Sequence, residues 1–211
     1  MDVVIAGGHG QIALRLARVL AARGDRVRAL IRNPDHAADV RAAGAEPVLA
    51  DLEHDDIGEA AAGADAVVFA AGAGPGSGPE RKRTVDLGGA LKLIDAARAG
   101  GVRRYVMVSA MGARDPRSGT EAMRPYLDAK AGADAAVRES GLDFTIVRPG
   151  RLTDEPGTGL VSAGGRLERA DITRDDVAAV LAGVLDEPRT IGRTFDVVQG
   201  DTPIATALAQ L

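Results

Sequence analysis

Cysteine and tryptophan are absent from this chain of 211 residues, and aromatic residues of all kinds make up only 2% of it. The absence of cysteine excludes disulfide bonds, a thiolate nucleophile and cysteine-ligated metal sites. The three histidines are scattered without metal-ligand spacing, so we expect no metal centre. Lysine is also scarce, because it supplies only three of the 26 basic residues, and each lysine position is therefore informative.

Strong positive charge and long apolar runs are missing as well. The formal net charge of -4 argues against a nucleic-acid-binding protein, which usually presents a basic face. No apolar stretch approaches the roughly 18 residues of a membrane-spanning helix, so we expect no membrane partner. The first residues lack the basic segment of a signal peptide, and we expect a cytoplasmic protein. The basic run 81–83 precedes an apolar helical pattern and is interpreted as a solvated helix start.

Glycine, by contrast, is abundant, with 27 of 211 residues against an average of roughly 7%. It has no three-residue period, which excludes a collagen-like chain. Short apolar runs typical of buried strands alternate with segments of helical spacing. The predicted strands are residues 3–6, 26–31, 46–50, 65–70, 102–108, 143–147 and 194–198. The predicted helices are residues 11–23, 34–43, 55–62, 80–99, 123–140, 174–185 and 203–211.

This alternation of strands and helices predicts a parallel sheet with helices on both faces. With right-handed crossovers the sheet is a doubly wound α/β sheet, the Rossmann fold. We expect a single domain over residues 1–211, with residues 151–173 and 199–211 as substrate-side loops and C-terminal closure. Residues 154–165, rich in glycine and threonine, are expected to form a loop.

A glycine-rich turn, GGHGQIA at residues 7–13, joins the first predicted strand to the first helix. Gly7 permits a tight turn, and Gly10 lets a diphosphate approach the free N–H groups at the helix N-terminus. This order of strand, loop and helix is typical of dinucleotide binding, and the alternative is a tight turn without a ligand. The residues of this turn predicted to bind the cofactor are Gly7, His9, Gly10, Gln11 and Ile12.

The end of the second predicted strand indicates which dinucleotide is bound. An NAD-preferring site usually places an acidic residue there, bonded to the ribose 2′-hydroxyl. This strand instead ends in Arg32 and Asn33. Because the planar fork of Arg32 suits a 2′-phosphate, we favour NADP over NAD. The alternative is that Arg32 is only an exposed charge at a strand end.

The ends of the third and fourth strands complete the predicted cofactor site. Asp51, followed by Leu52, is placed to accept a hydrogen bond from the adenine amino group, or alternatively caps the segment after it. Ala70, Ala71 and Gly72 are small enough for the backbone to lie beside a ligand. All five residues are therefore predicted to bind the cofactor.

Three residues are candidates for catalysis. Tyr126 and Lys130 are four residues apart on a predicted helix and therefore share one face. Ser109 follows the fifth strand, at the carboxyl edge where open α/β sheets bind ligands. The alternatives are that Tyr126 belongs to the core and that Ser109 has no special role.

With these motifs in order, the chain resembles the short-chain dehydrogenase/reductase superfamily. The similarity is to its small atypical NAD(P)H-binding branch, related to NAD(P)-dependent epimerases/dehydratases and to flavin/biliverdin reductases. At Asp86 the chain departs from related extended enzymes, which often have asparagine there. The segments that carry the resemblance are GGHGQIA (7–13), LIRNPD (30–35), ADL (50–52), AAG (70–72), VSA (108–110), YLDAK (126–130) and FTIVRPGRLTDEPGTG (144–159).

The resemblance implies a role for each candidate. Tyr126 would exchange a proton with the substrate oxygen. Lys130 would bind the nicotinamide ribose and, through its positive charge, lower the pKa of the tyrosine. Ser109 would orient the substrate carbonyl, while Pro149 and Gly150 would run beside the nicotinamide amide.

Together these expectations describe an NADPH-dependent oxidoreductase that transfers hydride to a small carbonyl, quinone or flavin-like acceptor. Two alternatives stay open. One is a non-catalytic NADP(H) redox sensor or partner-binding protein, and the other is a nucleotide-sugar epimerase/dehydratase-like enzyme. We expect a small-molecule substrate, no nucleic-acid or membrane partner, and a monomer or homodimer.

Overall fold

The structure is a computed structural model, and it describes residues 1–74 and 76–211. The strands of this part of the chain are β1 Asp2–Ala6, β2 Arg26–Ile31, β3 Glu46–Leu49, β4 Ala66–Phe69, β5 Arg104–Val108, β6 Asp143–Pro149, β7 Arg151–Thr153, β8 Leu160–Gly164, β9 Asp171–Thr173, β10 Arg193–Gln199 and β11 Thr202–Pro203. The α-helices are α1 Gln11–Ala22, α2 Ala37–Ala42, α3 Gly58–Ala61, α4 Pro79–Arg81, α5 Gly89–Ala99, α6 Arg124–Glu139, α7 Arg174–Asp186 and α8 Ile204–Ala209.

One nine-stranded sheet organises the molecule, in the order β11-β8-β10-β6-β5-β4-β1-β2-β3. The strands from β3 to β10 in this order pair in parallel, whereas β8 is antiparallel to β10 and to β11. The chain reverses its direction of winding between β1 and β4, and open α/β sheets bind ligands at such a switch point. The predicted Rossmann fold is therefore confirmed, with two strands, the antiparallel β8 and the outer β11, added at one edge.

The sheet forms because its strands are apolar on both faces. Alternate residues of β1 belong to different cores: Val3 and Ile5 pack with α1 and α7, whereas Val4 and Ala6 pack with α5 and α6. A strand buried on both sides needs an unbroken apolar run, which is what the sequence pattern indicated. Within the described part of the chain, no helix is long and apolar enough to cross a membrane.

Two sequence expectations about the C-terminal half and the longest helix need correction. Residues 154–165 were expected to form a loop, but Leu160–Gly164 is strand β8, paired with β10. The helix expected over 80–99 is interrupted by a π-helical turn, Lys82–Gly88, between α4 and α5. Short π-helical segments within α-helices are frequent at functional sites.

Candidate functional site

A cavity of about 490 Å³ lies at the carboxyl ends of β1 to β4, at the switch point of the sheet. Its size falls within the range of small-molecule and cofactor sites. It brings together nine of the residues predicted to bind the cofactor: Gly7, His9, Gly10, Arg32, Asp51, Leu52, Ala70, Ala71 and Gly72. Gln11, Ile12, Asn33, Lys130, Pro149 and Gly150 were also predicted but do not line this cavity.

The glycine turn at the floor of the cavity requires glycine for steric reasons. Gly7 has a φ of +83°, and a Cβ atom there would lie 2.5 Å from the Cα of Ala71. A Cβ at Gly8 would lie 2.6 Å from the Cβ of Ala29. The turn is closed by the Gly10 N–H, which donates to the Gly7 carbonyl at 2.8 Å. The backbone is thus held in a close-packed arrangement at the N-terminus of α1.

This arrangement fits a dinucleotide diphosphate. Helix α1 starts at Gln11, and the N–H groups of its first turn have no preceding helical carbonyl to bind. Such groups, together with the helix dipole, form an anion site. Gly10 is exposed and carries no side chain, so the approach to these groups is open. Gly7, Gly10 and the first turn of α1 would therefore hold the diphosphate.

One rim of the cavity carries basic and imidazole side chains. Arg32 is exposed directly after β2, and the rings of His9 and His36 are stacked with their centroids 3.6 Å apart. His9 Nε2 lies 2.8 Å from an oxygen of Asp39. The side chain of Asn33 caps the following short helix by accepting from the Asp35 N–H at 3.0 Å. Sequence reasoning missed His36, whose position in the chain carries no motif.

The opposite rim is acidic but largely neutralised by protein groups. Asp51 accepts a hydrogen bond from the Glu53 N–H at 2.8 Å, so it caps its own turn as well as lining the cavity. Glu53 pairs with Arg81 at 3.2 Å and accepts from the Thr84 hydroxyl at 2.6 Å. Arg81 is therefore an ion-paired cavity residue, and the expectation of a solvated basic run is wrong at this position.

Beyond Ala71, the cavity adjoins a cluster of buried charges. Lys130 is buried, and its ammonium donates to the carbonyls of Ala71 and Val108, each at 3.2 Å. Its third neighbour is the carboxylate of Asp86, 3.4 Å away. The lysine therefore joins the ends of β4 and β5 through protein acceptors. The binding of Lys130 to a ribose stays a prediction.

Tyr126 lies in the first turn of α6, one helical turn before Lys130. Its ring centroid is 5.4 Å from the ammonium of Lys82 and 5.9 Å from that of Lys130. Lys82 is only partly exposed here, which again corrects the expectation of a solvated basic run. Among the described residues, no hydrogen bond to the tyrosine hydroxyl is present.

The ionisation of Tyr126 differs from the expectation based on the resemblance. Burial, together with the carboxylates of Asp86 and Asp134, raises the pKa of Tyr126 to about 12. Lys130 was expected to lower this pKa, but its charge is already matched by Asp86. Burial also lowers the pKa of the Lys130 ammonium, and Asp86 opposes that shift. The surroundings of Tyr126 therefore favour its phenol over its phenolate.

The remaining predicted residues lie at the ends of β5 and β6. Ser109 is buried next to Val108, and among the described residues its hydroxyl has no hydrogen-bond partner. Pro149 is buried at the end of β6. At Gly150, a Cβ atom would lie 2.0 Å from the Ala170 carbonyl oxygen, so this glycine is required by packing against the chain before β9.

Two buried carboxylates lie near Tyr126: sequence reasoning noted Asp86 only as a departure from related enzymes, with no role, and missed Asp134. Asp86 is fully buried in the π-helical turn and accepts from the Ala73 N–H at 3.0 Å. Asp134, fully buried one turn beyond Lys130, accepts two hydrogen bonds from Arg148 at 2.9 and 2.7 Å. The spacing of Tyr126, Lys130 and Asp134 along one helix face was the signal that could have identified Asp134.

The fold and the cavity thus define a dinucleotide-binding α/β protein. A family model described as NAD(P)H-binding matches residues 7–188. The chain therefore belongs to this NAD(P)H-binding family, and the resemblance inferred from its motifs is confirmed.

Similar proteins carry epimerase and oxidoreductase names. The uncharacterized sugar epimerase YhfK of Bacillus subtilis is 47% identical over 214 residues, with 100% of both chains covered. A structure from Bacillus halodurans, named as an NAD-dependent epimerase/dehydratase, has a TM-score of 0.96 and 43% identity, again with 100% of both chains covered. The oxidoreductase ylbE from Lactococcus lactis has a TM-score of 0.88 and 28% identity, covering 100% of this chain and 96% of its own.

Proposed function

We propose that this protein is an NADPH-preferring reductase of a small carbonyl, quinone or flavin-like acceptor. The observation that carries the proposal is geometric: Tyr126 lies one helical turn before Lys130, whose ammonium donates to the carbonyl of the cavity residue Ala71. Reduction of a carbonyl requires a proton donor at the oxygen that gains negative charge. Tyr126 can supply this proton as a phenol, and its raised pKa disfavours the phenolate that would be needed to remove a proton from an alcohol.

Different residues of the chain have different roles in such a reduction. When bound, the nicotinamide supplies the hydride. Tyr126 donates a proton to the acceptor oxygen, and the unpartnered hydroxyl of Ser109 donates a hydrogen bond that orients this oxygen. Lys130 holds the ends of β4 and β5 in place beside the reacting groups. The acceptor thus gains one hydride and one proton, which balances the reduction.

Arg32 supports the preference for NADPH. It is exposed at the rim of the cavity at the end of β2, where the chain provides no carboxylate to bind a 2′-hydroxyl. A guanidinium binds phosphate through paired, charge-assisted hydrogen bonds. The cytoplasmic location and the monomeric or homodimeric state stay predictions from the sequence.

The first test measures NADPH oxidation with a panel of quinones, flavins and aldehydes. For the acceptor that is reduced, we expect Tyr126→Phe to lower kcat about 100-fold or more while the Kd for NADPH is unchanged. Tyr105→Phe is the matched control, because Tyr105 is buried in β5 and donates to the Ala90 carbonyl. Turnover in Tyr126→Phe equal to that of the control would exclude Tyr126 as the proton donor.

The second test measures cofactor choice by titrating NADPH and NADH separately. We expect Arg32→Ala to weaken NADPH binding by about 10-fold to 100-fold, which is the loss of a charge-assisted hydrogen bond, and to leave NADH binding unchanged. The control is Arg41→Ala, which removes an exposed arginine of α2 that does not line the cavity. Equal NADPH affinity in both variants would refute the role of Arg32.

An epimerase is the second candidate, because two similar proteins carry epimerase names. An epimerase regenerates its cofactor in each cycle and would show no net oxidation of NADPH. Incubating the protein with nucleotide sugars and NAD, and analysing the sugar by NMR, separates the two candidates. Tight NADPH binding without turnover in either assay would instead favour the redox-sensor alternative.

A further inference from the structure

Asp86 occupies an unusual position for an ionisable residue. It is fully buried in the π-helical turn Lys82–Gly88, on the wall between the cofactor cavity and α6. One of its oxygens accepts from the Ala73 N–H at 3.0 Å. The other lies 3.4 Å from the Lys130 ammonium and, among the described residues, has no hydrogen bond with good geometry.

A carboxylate in this environment has an electrostatic consequence for its neighbours. Burying an ion is costly unless an opposite charge lies close to it. Lys130 supplies that charge, and its other two contacts are the carbonyls of Ala71 and Val108. The ammonium is thereby kept charged and directed at the strand ends. Because Asp86 compensates the charge of Lys130, this charge has little effect on the ionisation of Tyr126.

The charged groups around the Tyr126 ring come from two elements. The π-helical turn contributes Lys82 and Asp86, and α6 contributes Lys130 and Asp134. Asp134 is already paired with Arg148. Asp86 is therefore the buried carboxylate that faces both the phenol and the ammonium.

We propose that Asp86 is a positioning residue, the counter-ion that keeps Lys130 bound as an ammonium to the ends of β4 and β5 and, beside that ammonium, stabilises the phenol of Tyr126 over the phenolate. The catalytic meaning of this inference rests on the proposed reductase function. Its physical content does not, because a negative charge favours the ammonium over the amine and the phenol over the phenolate. Removing it should move both titrations to lower pH.

The first experiment follows the lysines by NMR in the protein without cofactor. The chain has only three lysines, so ¹³C-lysine labelling gives three side-chain signals, and Lys130→Arg assigns the buried one. We expect Asp86→Asn to lower the titration midpoint of Lys130 by about one pH unit or more, as for the loss of a nearby opposite charge. Asparagine retains the acceptor for the Ala73 N–H. The signal of Lys92, which binds the Asp55 carbonyl elsewhere, should not move.

The second experiment follows Tyr126 by phenolate absorbance at 295 nm, read within milliseconds of a pH jump so that alkaline unfolding does not interfere. With two tyrosines and no tryptophan, the spectrum is simple, and Tyr126→Phe identifies the transition. The wild-type midpoint is expected near the Tyr126 pKa of about 12. The midpoint in Asp86→Asn is expected to be lower by about one pH unit.

Asp128→Asn is the control in both experiments, because it removes an exposed carboxylate from the same helix as Tyr126. Unchanged Lys130 and Tyr126 midpoints in a folded Asp86→Asn protein would overturn the inference, as would a shift equal to that of the control. If Asp86→Asn does not fold, Asp86→Ala is measured in its place, with the same expectation and the same overturning result. Neither titration uses cofactor or substrate, so the inference and the proposed reductase activity can fail separately.

Discussion

The cofactor cavity and the cluster of buried charges around α6, which together form the candidate site, are made of different kinds of residues. The cofactor cavity at the ends of β1 to β4 is built around glycine and alanine backbone, as at Gly7, where the distance to Ala71 leaves no room for a Cβ atom. The cluster around α6 consists of buried charges, with Asp86, Lys130, Asp134 and Arg148 all nearly inaccessible. The cavity places backbone N–H groups between rims of charged side chains that are exposed or partly exposed, such as Arg32, whereas the charges of the α6 cluster are buried.

This difference has a physical reason. A diphosphate is already charged, so its site needs close backbone approach and oriented N–H groups rather than many ionisable side chains. A proton-transfer site needs side chains whose ionisation is set by their surroundings. We therefore expect steric changes to damage the first half and changes of charge to damage the second.

The largest effect is expected from breaking the buried pair of Asp134 and Arg148. Asp134→Ala leaves the Arg148 guanidinium buried without its partner, and we expect it to lower the free energy of unfolding by about 3–5 kcal/mol in urea titrations. The matched control is Asp128→Ala on the exposed side of α6, expected to change it by less than about 0.5 kcal/mol. Similar losses in the two variants would show that burial of charge is not what distinguishes this half.

A smaller effect on stability is expected from adding a methyl group at Gly7, in the cofactor cavity. Gly7→Ala combines a positive φ with a clash against Ala71, and we expect it to cost about 3 kcal/mol of stability and to abolish NADPH binding. Gly24→Ala separates the two causes, because Gly24 has a φ of +88° and no atom within 4 Å of its Cβ position. It should cost about 1 kcal/mol and leave binding intact. Equal costs would assign the effect to backbone strain alone.

The smallest effect is expected at an exposed ion pair outside both halves. Arg103 donates two hydrogen bonds to Asp143, and these bonds hold the pKa of the Asp143 carboxyl below its ordinary value. Because the folded-state pKa is lowered, the pair stabilises the protein above the ordinary pKa of aspartate, and the contribution is lost as the pH falls through the lowered value.

Comparing wild type with Arg103→Ala in urea titrations at several pH values tests this sign. We expect a small difference in stability at pH 7 that disappears in acid. A difference that grows as the pH falls would contradict the assignment. The pair thus gives a surface reference against which the buried charges of the α6 cluster can be compared.

Most of the fold could be predicted because its signals are local. The strands β1 to β6 each contain a short apolar run and are separated by helices or turns, and the turn at residues 7–13 is recognised by its glycine spacing. The strands β7, β8, β9 and β11 were missed because no helix separates β6 from β9 or β10 from β11, and because β7 and β8 mix polar and apolar residues. Their short sequences do not distinguish a strand from a loop.

In the candidate site, too, some residues could be predicted from the sequence and others could not. Nine predicted cofactor residues line one cavity, because the carboxyl ends of neighbouring parallel strands must meet at one edge. Asp86 and Asp134 were not predicted, since a carboxylate within a helical pattern is usually a solvated residue. Only the packing of α6 against the π-helical turn and β6 buries them.

The sequence by itself determined the order of strands and helices, the glycine turn and the pairing of Tyr126 with Lys130 on one helix face. These features depend on neighbours within a few residues. The tertiary structure decided that Lys130 is matched by Asp86 and that the pKa of Tyr126 is raised, to about 12, rather than lowered. Ionisation depends on burial and on charges that are distant in sequence, and these exist only once the chain has folded.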